Sequence, residues 1–240
     1  MVRYLLLCGL LFAVPAFAVE PIGAVVKLSG KVSVYRDGAV RGGMIESPDA
    51  PLFAGDVIKT KRDSQAFLLF VDGNRVVLTE NSSLTIQGLD QANVDRGRVL
   101  FEIKKRGSAK GLEISSATVT MGVKGTRFAV NNDADQVDIF LQEGALAIGA
   151  LEGQFRRYSD RMEAEFKALE HQMLQDFKSA EGQMKAQFEE AKKQMMAGNV
   201  EVVSEFTLEA GSAIRVIGDE VWSVALPAWL AEEFALLDQF

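Results

Sequence analysis

The stretch Thr118–Val130, TVTMGVKGTRFAV, alternates like a β-strand at both ends, but the two ends do not share a face. Val119, Met121 and Val123 are apolar at odd positions, whereas Phe128 and Val130 are apolar at even ones. Strand side chains alternate between faces, so one inserted residue sends everything downstream to the opposite side. Gly122, Lys124 and Gly125 occupy the interval. Glycine permits the left-handed backbone that a β-bulge needs. The pattern therefore predicts a bulge at Lys124–Gly125 that moves the buried set from Val123 to Phe128, with the glycines serving the backbone. Bulges cluster beside functional sites. Lys124 and Arg127 flank this one and are the candidate contacts for a small anion or a partner's carboxylate.

The β reading extends outward from Ile22 to about Ile148. Val32 and Val34 alternate with Lys31, Ser33 and Tyr35, and turn signals recur about every ten residues: Asp37-Gly38, Gly42-Gly43, Gly55-Asp56, Asp72-Gly73, Asn81-Ser82, Gly88, Gly97, Gly107, Gly111. Short, evenly spaced strands predict a sandwich, a barrel or a β-solenoid. The clearest element is AFLLFVDGNRVVLTE, with strands Phe67–Val71 and Arg75–Thr79 joined at Asp72-Gly73, which supply the positive φ of a tight hairpin.

Beyond Phe155 the period changes. Phe155, Tyr158, Met162, Phe166, Leu169, Met173, Phe177, Ala180, Met184, Phe188, Ala191 and Met195 step by three and four, within an eleven-residue repeat (EFKALEHQM, DFKSAEGQM, QFEEAKKQM). Such a repeat winds at about 3.67 residues per turn, close to a straight helix with one narrow apolar stripe. Glu152–Ala197 as one helix would be roughly 69 Å long at about 1.5 Å per residue. The return from Asn199 to Thr207 reaches at most about 30 Å. The helix must then lie across the β body, fold into a hairpin near Gly182, or project with an uneven return. Its 8 Lys and Arg against 9 Asp and Glu argue against a membrane-surface helix. Docking on its own domain and self-association are the alternatives. After Gly198 the β pattern resumes through Val202, Phe206, Leu208, Ile214 and Val216. Pro227 then opens a C-terminal helix whose face of Trp229, Leu230, Phe234 and Leu237 should dock on the core.

Composition narrows the chemistry. The chain has 240 residues and a formal charge of −7, without a basic block, which disfavours nucleic acid. Arg3, the apolar run Tyr4–Phe17 and Ala16-Phe17-Ala18 predict a secretory signal peptide cleaved after Ala18, hence export to a periplasm. The single cysteine, Cys8, leaves with it, so the mature chain has no disulfide and no thiol chemistry. The sole histidine, His171, sits in the helical repeat, leaving Ser-His, Cys-His and His-metal sites without parts in the β region. Asp133, Asp135 and Asp138 in NNDADQVD lack the Gly and closing Glu of a calcium loop and read as a polar hairpin turn. No cofactor and no metal is expected. GVKGT has neither the spacing nor the following helix of a phosphate-binding loop.

GVKGTRFAV resembles the signature of the FecR domain family, a Gly-Val-Arg-Gly-Thr-x-Phe element in which Lys124 here replaces Arg. Matching segments are GKVSVYRDG at Gly30, LFAGDVIKT at Leu52, the Phe67–Gly73 hairpin, NSSLTI at Asn81, GRVLFEI at Gly97, LQEGALAI at Leu141 and LEAGSAIRV at Leu208. The resemblance covers about Gly23–Ile148 and resumes near Thr207. It implies an all-β periplasmic domain without catalysis, with Asp56, Asp72, Gly73, Gly122, Gly125, Thr126 and Phe128 as structural motif positions. In the family's namesakes the domain follows a cytoplasmic anti-sigma region and a membrane helix, and relays a signal from an outer-membrane transporter. A cleaved signal without a membrane helix departs from that pattern.

The expected architecture is mainly β, a compact sandwich- or solenoid-like FecR domain (19–150 plus 199–226) with a long amphipathic helical insertion (151–198) and a short C-terminal helix (227–240). The expected function is that of a non-enzymatic, exported module that binds a protein or cell-wall glycan in the envelope. The alternatives are a structural envelope protein oligomerising through the Phe155–Met195 stripe, and a carboxylate-dependent glycan hydrolase.

Overall fold

The computed structural model describes residues 20–105, 111–133, 135–158, 190 and 200–240. Among these, 19 strands form two sheets that share one strand. Sheet A runs β4 (Ala50–Leu52), β1 (Gly23–Ser29), β6 (Gln65–Phe70), β7 (Arg75–Leu78), β9 (Gln91–Ile103), β12 (Thr126–Asp133), β13 (Gln136–Glu143), β18 (Ala213–Ile217), β19 (Glu220–Ser223), β15 (Phe155–Tyr158) and β16 (Val200–Val203). Sheet B runs β3 (Gly43–Met44), β2 (Val32–Tyr35), β5 (Val57–Thr60), β8 (Ser83–Ile86), β9, β10 (Leu112–Ser116), β11 (Val119–Val123), β14 (Ala145–Ala150) and β17 (Glu205–Glu209). The pairs β9–β10 and β15–β19 are parallel, the others antiparallel.

The parity change in TVTMGVKGTRFAV comes from a sheet crossing, not from the expected bulge within one strand. β11 ends at Val123 in sheet B, and β12 begins at Thr126 in sheet A. Gly125, with φ of +69°, makes the corner. A bulge does occur nearby, three positions later than expected: the register slips between Arg127, opposite Glu143, and Phe128, opposite Leu141. Gly144 (φ +88°) turns the chain from β13 back into β14, and Gly97 (φ +75°) bends β9 from one sheet into the other. A Cβ on Gly144 would lie 2.7 Å from the Gly125 carbonyl oxygen, so the two corners are stacked directly on each other. Buried hydroxyls and amides join successive corners: Ser82 Oγ donates to the Arg98 carbonyl (3.0 Å), Ser116 Oγ to that of Val94 (3.0 Å), and Asn132 Nδ2 to that of Val94 (2.9 Å).

The central strands of sheet A are buried on both faces, which explains their near-continuous apolar runs. On its inner face, Leu68, Val76, Phe101, Phe128 and Leu141 line up across five strands and pack against sheet B. Phe101 and Phe128 stack at 4.9 Å. On the outer face a second row, Phe67–Val77–Leu100–Ala129–Phe140–Ala213, crosses six strands. The C-terminal segment covers that row through Leu230, Phe234 and Leu237. The expected helix there is α1 (Leu230–Phe234) followed by a 3-10 turn, Ala235–Gln239. The Asp72-Gly73 hairpin forms as expected, but only Gly73 has positive φ (+80°); Asp72 acts through its carboxylate, which accepts from the Asn74 N–H at 3.0 Å.

Most of the expected helical insertion falls on residues 159–199, which lie outside the described residues, Glu190 apart. Its expected first turns are overturned: residues 152–158 are not helical. Phe155–Tyr158 is a strand, with Phe155 buried against Phe206 (6.4 Å) and Tyr158 stacked on Trp222 (3.9 Å). Both residues are buried in the body. Tyr158 pairs with Val200, so the segment's two ends stand side by side at the tip of the hairpin formed by β14–β15 and β16–β17.

Candidate partner-binding surfaces

The motif residues divide into packing and surface roles. Asp56 is buried; its carboxylate accepts from the Phe53 N–H at 2.8 Å and from Arg36 at 2.5 Å, closing the Phe53–Asp56 turn. Thr126 and Phe128 are core residues. Gly122 lies on the open face of sheet B beside Ala147, its register partner on β14.

The two candidate cations are not brought together. Lys124 is exposed at the rim of a 460 Å³ groove on sheet B lined by Asp90, Gln91, Gly111, Leu112, Glu113, Gly122 and Val123. Arg127 belongs to sheet A and is taken by the chain's own C-terminal segment. Its guanidinium donates to the Phe234 carbonyl (2.5 Å) and meets the Asp238 carboxylate at 3.0 Å. That bond holds the Asp238 carboxyl below its usual range. The sequence offered Arg127 to a small anion or a partner's carboxylate; the carboxylate it meets is the chain's own Asp238.

Other basic residues share this work. Arg98 pairs with Glu233 and stacks 3.8 Å over the Trp229 ring; Arg75 lies 5.5 Å from the Phe240 ring, and Lys27 donates to Gln239 at 2.9 Å. Burial raises the Glu233 carboxyl above its ordinary value, against the pull of Arg98. Arg98 Nε and Glu233 Oε2 are buried without a hydrogen-bond partner. The contact forms one wall of a polar groove of 740 Å³, whose other sides carry Asp63, Glu80, Asn81, Arg96, Asn131 and Asp133. Asp138, from the aspartate-rich turn, is held by Arg215 at 2.7 Å. Among the described residues no group of His, Cys, Asp and Glu is placed to hold a metal ion, and no helix is long and apolar enough to cross a membrane.

The crossing at Gly125 and the inner row from Leu68 to Leu141 lie within a recognisable segment. Residues 56–147 match the FecR protein family. The FecR match runs from the Asp56 turn to the middle of β14, so it includes the signature corner but not the C-terminal segment. The fold is also similar to two crystal structures, each of a candidate anti-sigma factor from Parabacteroides distasonis ATCC 8503. These share 11% and 12% identity, with TM-scores of 0.47 and 0.46 over 75% of this chain. This chain covers 64% and 63% of theirs, less than two thirds of either. No curated protein matches.

Three features escaped sequence reasoning. The outer apolar row of sheet A reads as ordinary strand residues until the register aligns it. The cations that clasp the tail are dispersed from Lys27 to Arg127. That β17, whose Phe206 and Leu208 read as β, is the last strand of sheet B follows only from which strands pair.

Proposed function

We propose that the chain is a non-enzymatic FecR-type signalling or regulatory module of the cell envelope, exported to the periplasm with its signal peptide removed after Ala18, that acts by binding a partner protein. The observation that carries this reading is the FecR match over residues 56–147. Its support is the employment of the ionic groups around the signature: Asp56 closes a turn and Arg127 holds the tail. The domain division goes with it, a FecR-like body at 19–150 plus 199–226 around an insertion. Residues Phe155–Tyr158, expected within the insertion, form a strand and are assigned to the body in this proposal.

Affinity purification from envelope fractions with the mature chain as bait tests the reading. The expected result is saturable retention of a specific envelope protein. No retained protein, together with wall-degrading activity abolished by replacing one carboxylate, would establish the hydrolase alternative instead.

A further inference from the structure

The hairpin of residues 145–158 and 200–209 ends both sheets on one side, with β17 the last strand of sheet B and β16 the last of sheet A. Among the described residues, no strand pairs with the outer edge of β17. An edge strand presents a row of unpaired N–H and C=O groups, a template for another strand. Along β17 the side chains alternate: Glu205, Thr207 and Glu209 are exposed, and Leu208 between them is buried.

In an antiparallel ladder the directly opposed side chains are the interacting pairs. Opposite Glu205 on β14 stands Gly149, opposite Thr207 Ala147, and opposite Glu209 Ala145. None of these can answer a carboxylate. On β16, by contrast, Glu201 already faces Arg157. Among the described residues, no strand fills the remaining cross-strand positions beside Glu205 and Glu209.

We propose that β17 accepts an extended basic segment of a partner protein, added antiparallel at its outer edge with Lys or Arg opposite Glu205 and Glu209. Main-chain bonds supply affinity, and the two charges set register and choice of partner. A second copy of this chain is the wrong occupant. Two β17 strands paired about Thr207 would set each Glu205 opposite the other's Glu209, and like charges directly opposed are destabilising. The proposal rests on the partner-binding reading above and names the partner's chemistry.

The test is fluorescence anisotropy on the mature chain with the labelled peptide Lys-Val-Lys-Val-Lys-Val-Lys, its Glu-Val counterpart, and two Lys-Val versions methylated on alternate backbone nitrogens. Saturable binding of the Lys-Val peptide is expected, weakened roughly tenfold or more by Glu205→Lys/Glu209→Lys. One of the two methylation patterns should abolish it, and the Glu-Val peptide should not bind. No saturable binding, no effect of the double substitution, or indifference to both methylation patterns overturns the proposal. Circular dichroism checks that the variant is folded; if it is not, Glu205→Gln/Glu209→Gln replaces it. Capture from envelope extracts separates this proposal from the broader one. If the wild type and Glu205→Lys/Glu209→Lys retain the same partner, the edge falls and the module reading stands; if neither retains any, the module reading falls.

Discussion

Replacing Gly144 with alanine tests the stacked-corner architecture through one methyl group. Gly144 has φ of +88°, and its Cβ would sit 2.7 Å from the Gly125 carbonyl oxygen, 2.7 Å from Thr126 Cγ2 and 3.2 Å from Thr126 Cα. A left-handed L-residue costs roughly 1–2 kcal/mol. Reduced freedom of the unfolded chain returns about 0.4–1 kcal/mol of that. Gly211, at the corner from β17 to β18, has φ of +79° and nothing within 4 Å of its Cβ, so Gly211→Ala meets the backbone term alone and should lose about 1 kcal/mol. At Gly144 the obstructing atoms include backbone of the neighbouring corner, which cannot swing aside, and overpacking adds about 1–3 kcal/mol. The expected loss for Gly144→Ala is therefore about 2–4 kcal/mol. Urea unfolding of the mature chain measures both variants. Because the two corners touch, Gly125→Ala/Gly144→Ala should depart from additivity, as contacting sites do. If Gly144→Ala loses no more than Gly211→Ala, the corners are not stacked as described and the reasoning fails.

Three further outcomes are expected. Phe234→Ala, which empties the centre of the outer core, should lose about 3–5 kcal/mol in urea unfolding; a loss under about 1 kcal/mol would show that the tail is no core layer. Burial raises the Glu233 carboxyl above its ordinary 4.5. A raised folded value means a contribution fully present below the unfolded value and lost as pH rises through the folded one. The wild type should therefore lose stability relative to Glu233→Gln as pH rises from below the ordinary 4.5 through the raised folded value, and parallel pH profiles would count against it. Replacing residues 159–199 with Asn-Gly joins the paired Tyr158 and Val200 directly. The shortened closure should hold the β body at equal or higher stability, by up to about 2–3 kcal/mol, and a clear loss would place the segment in the core.

How legible the fold was depended on how local its causes are. The Phe67–Leu78 hairpin and the C-terminal helix could be read because a turn residue and a 3.6-residue period are local signals. The parity change at Gly125 was legible as an event, but its kind was not. A bulge and a sheet crossing both shift the buried face, and only the partners of β11 and β12 separate them. Phe155 and Tyr158 misled because four residues fit the helical step as well as a strand, and their burial against Phe206 and Trp222 is a tertiary matter. Arg127 was singled out for its neighbourhood to the corner, yet its carboxylate comes from Asp238, more than a hundred residues away along the chain. The β17 edge could not be seen at all, since an edge is defined by which strands do not pair.

The most direct measurement of the proposed edge recognition is residue-resolved amide hydrogen exchange on the mature chain, with and without the Lys-Val peptide. The account predicts new protection confined to the outward-facing amides of Glu205–Glu209, absent in Glu205→Lys/Glu209→Lys. Protection in the Lys124 groove instead, or none at all, would contradict it.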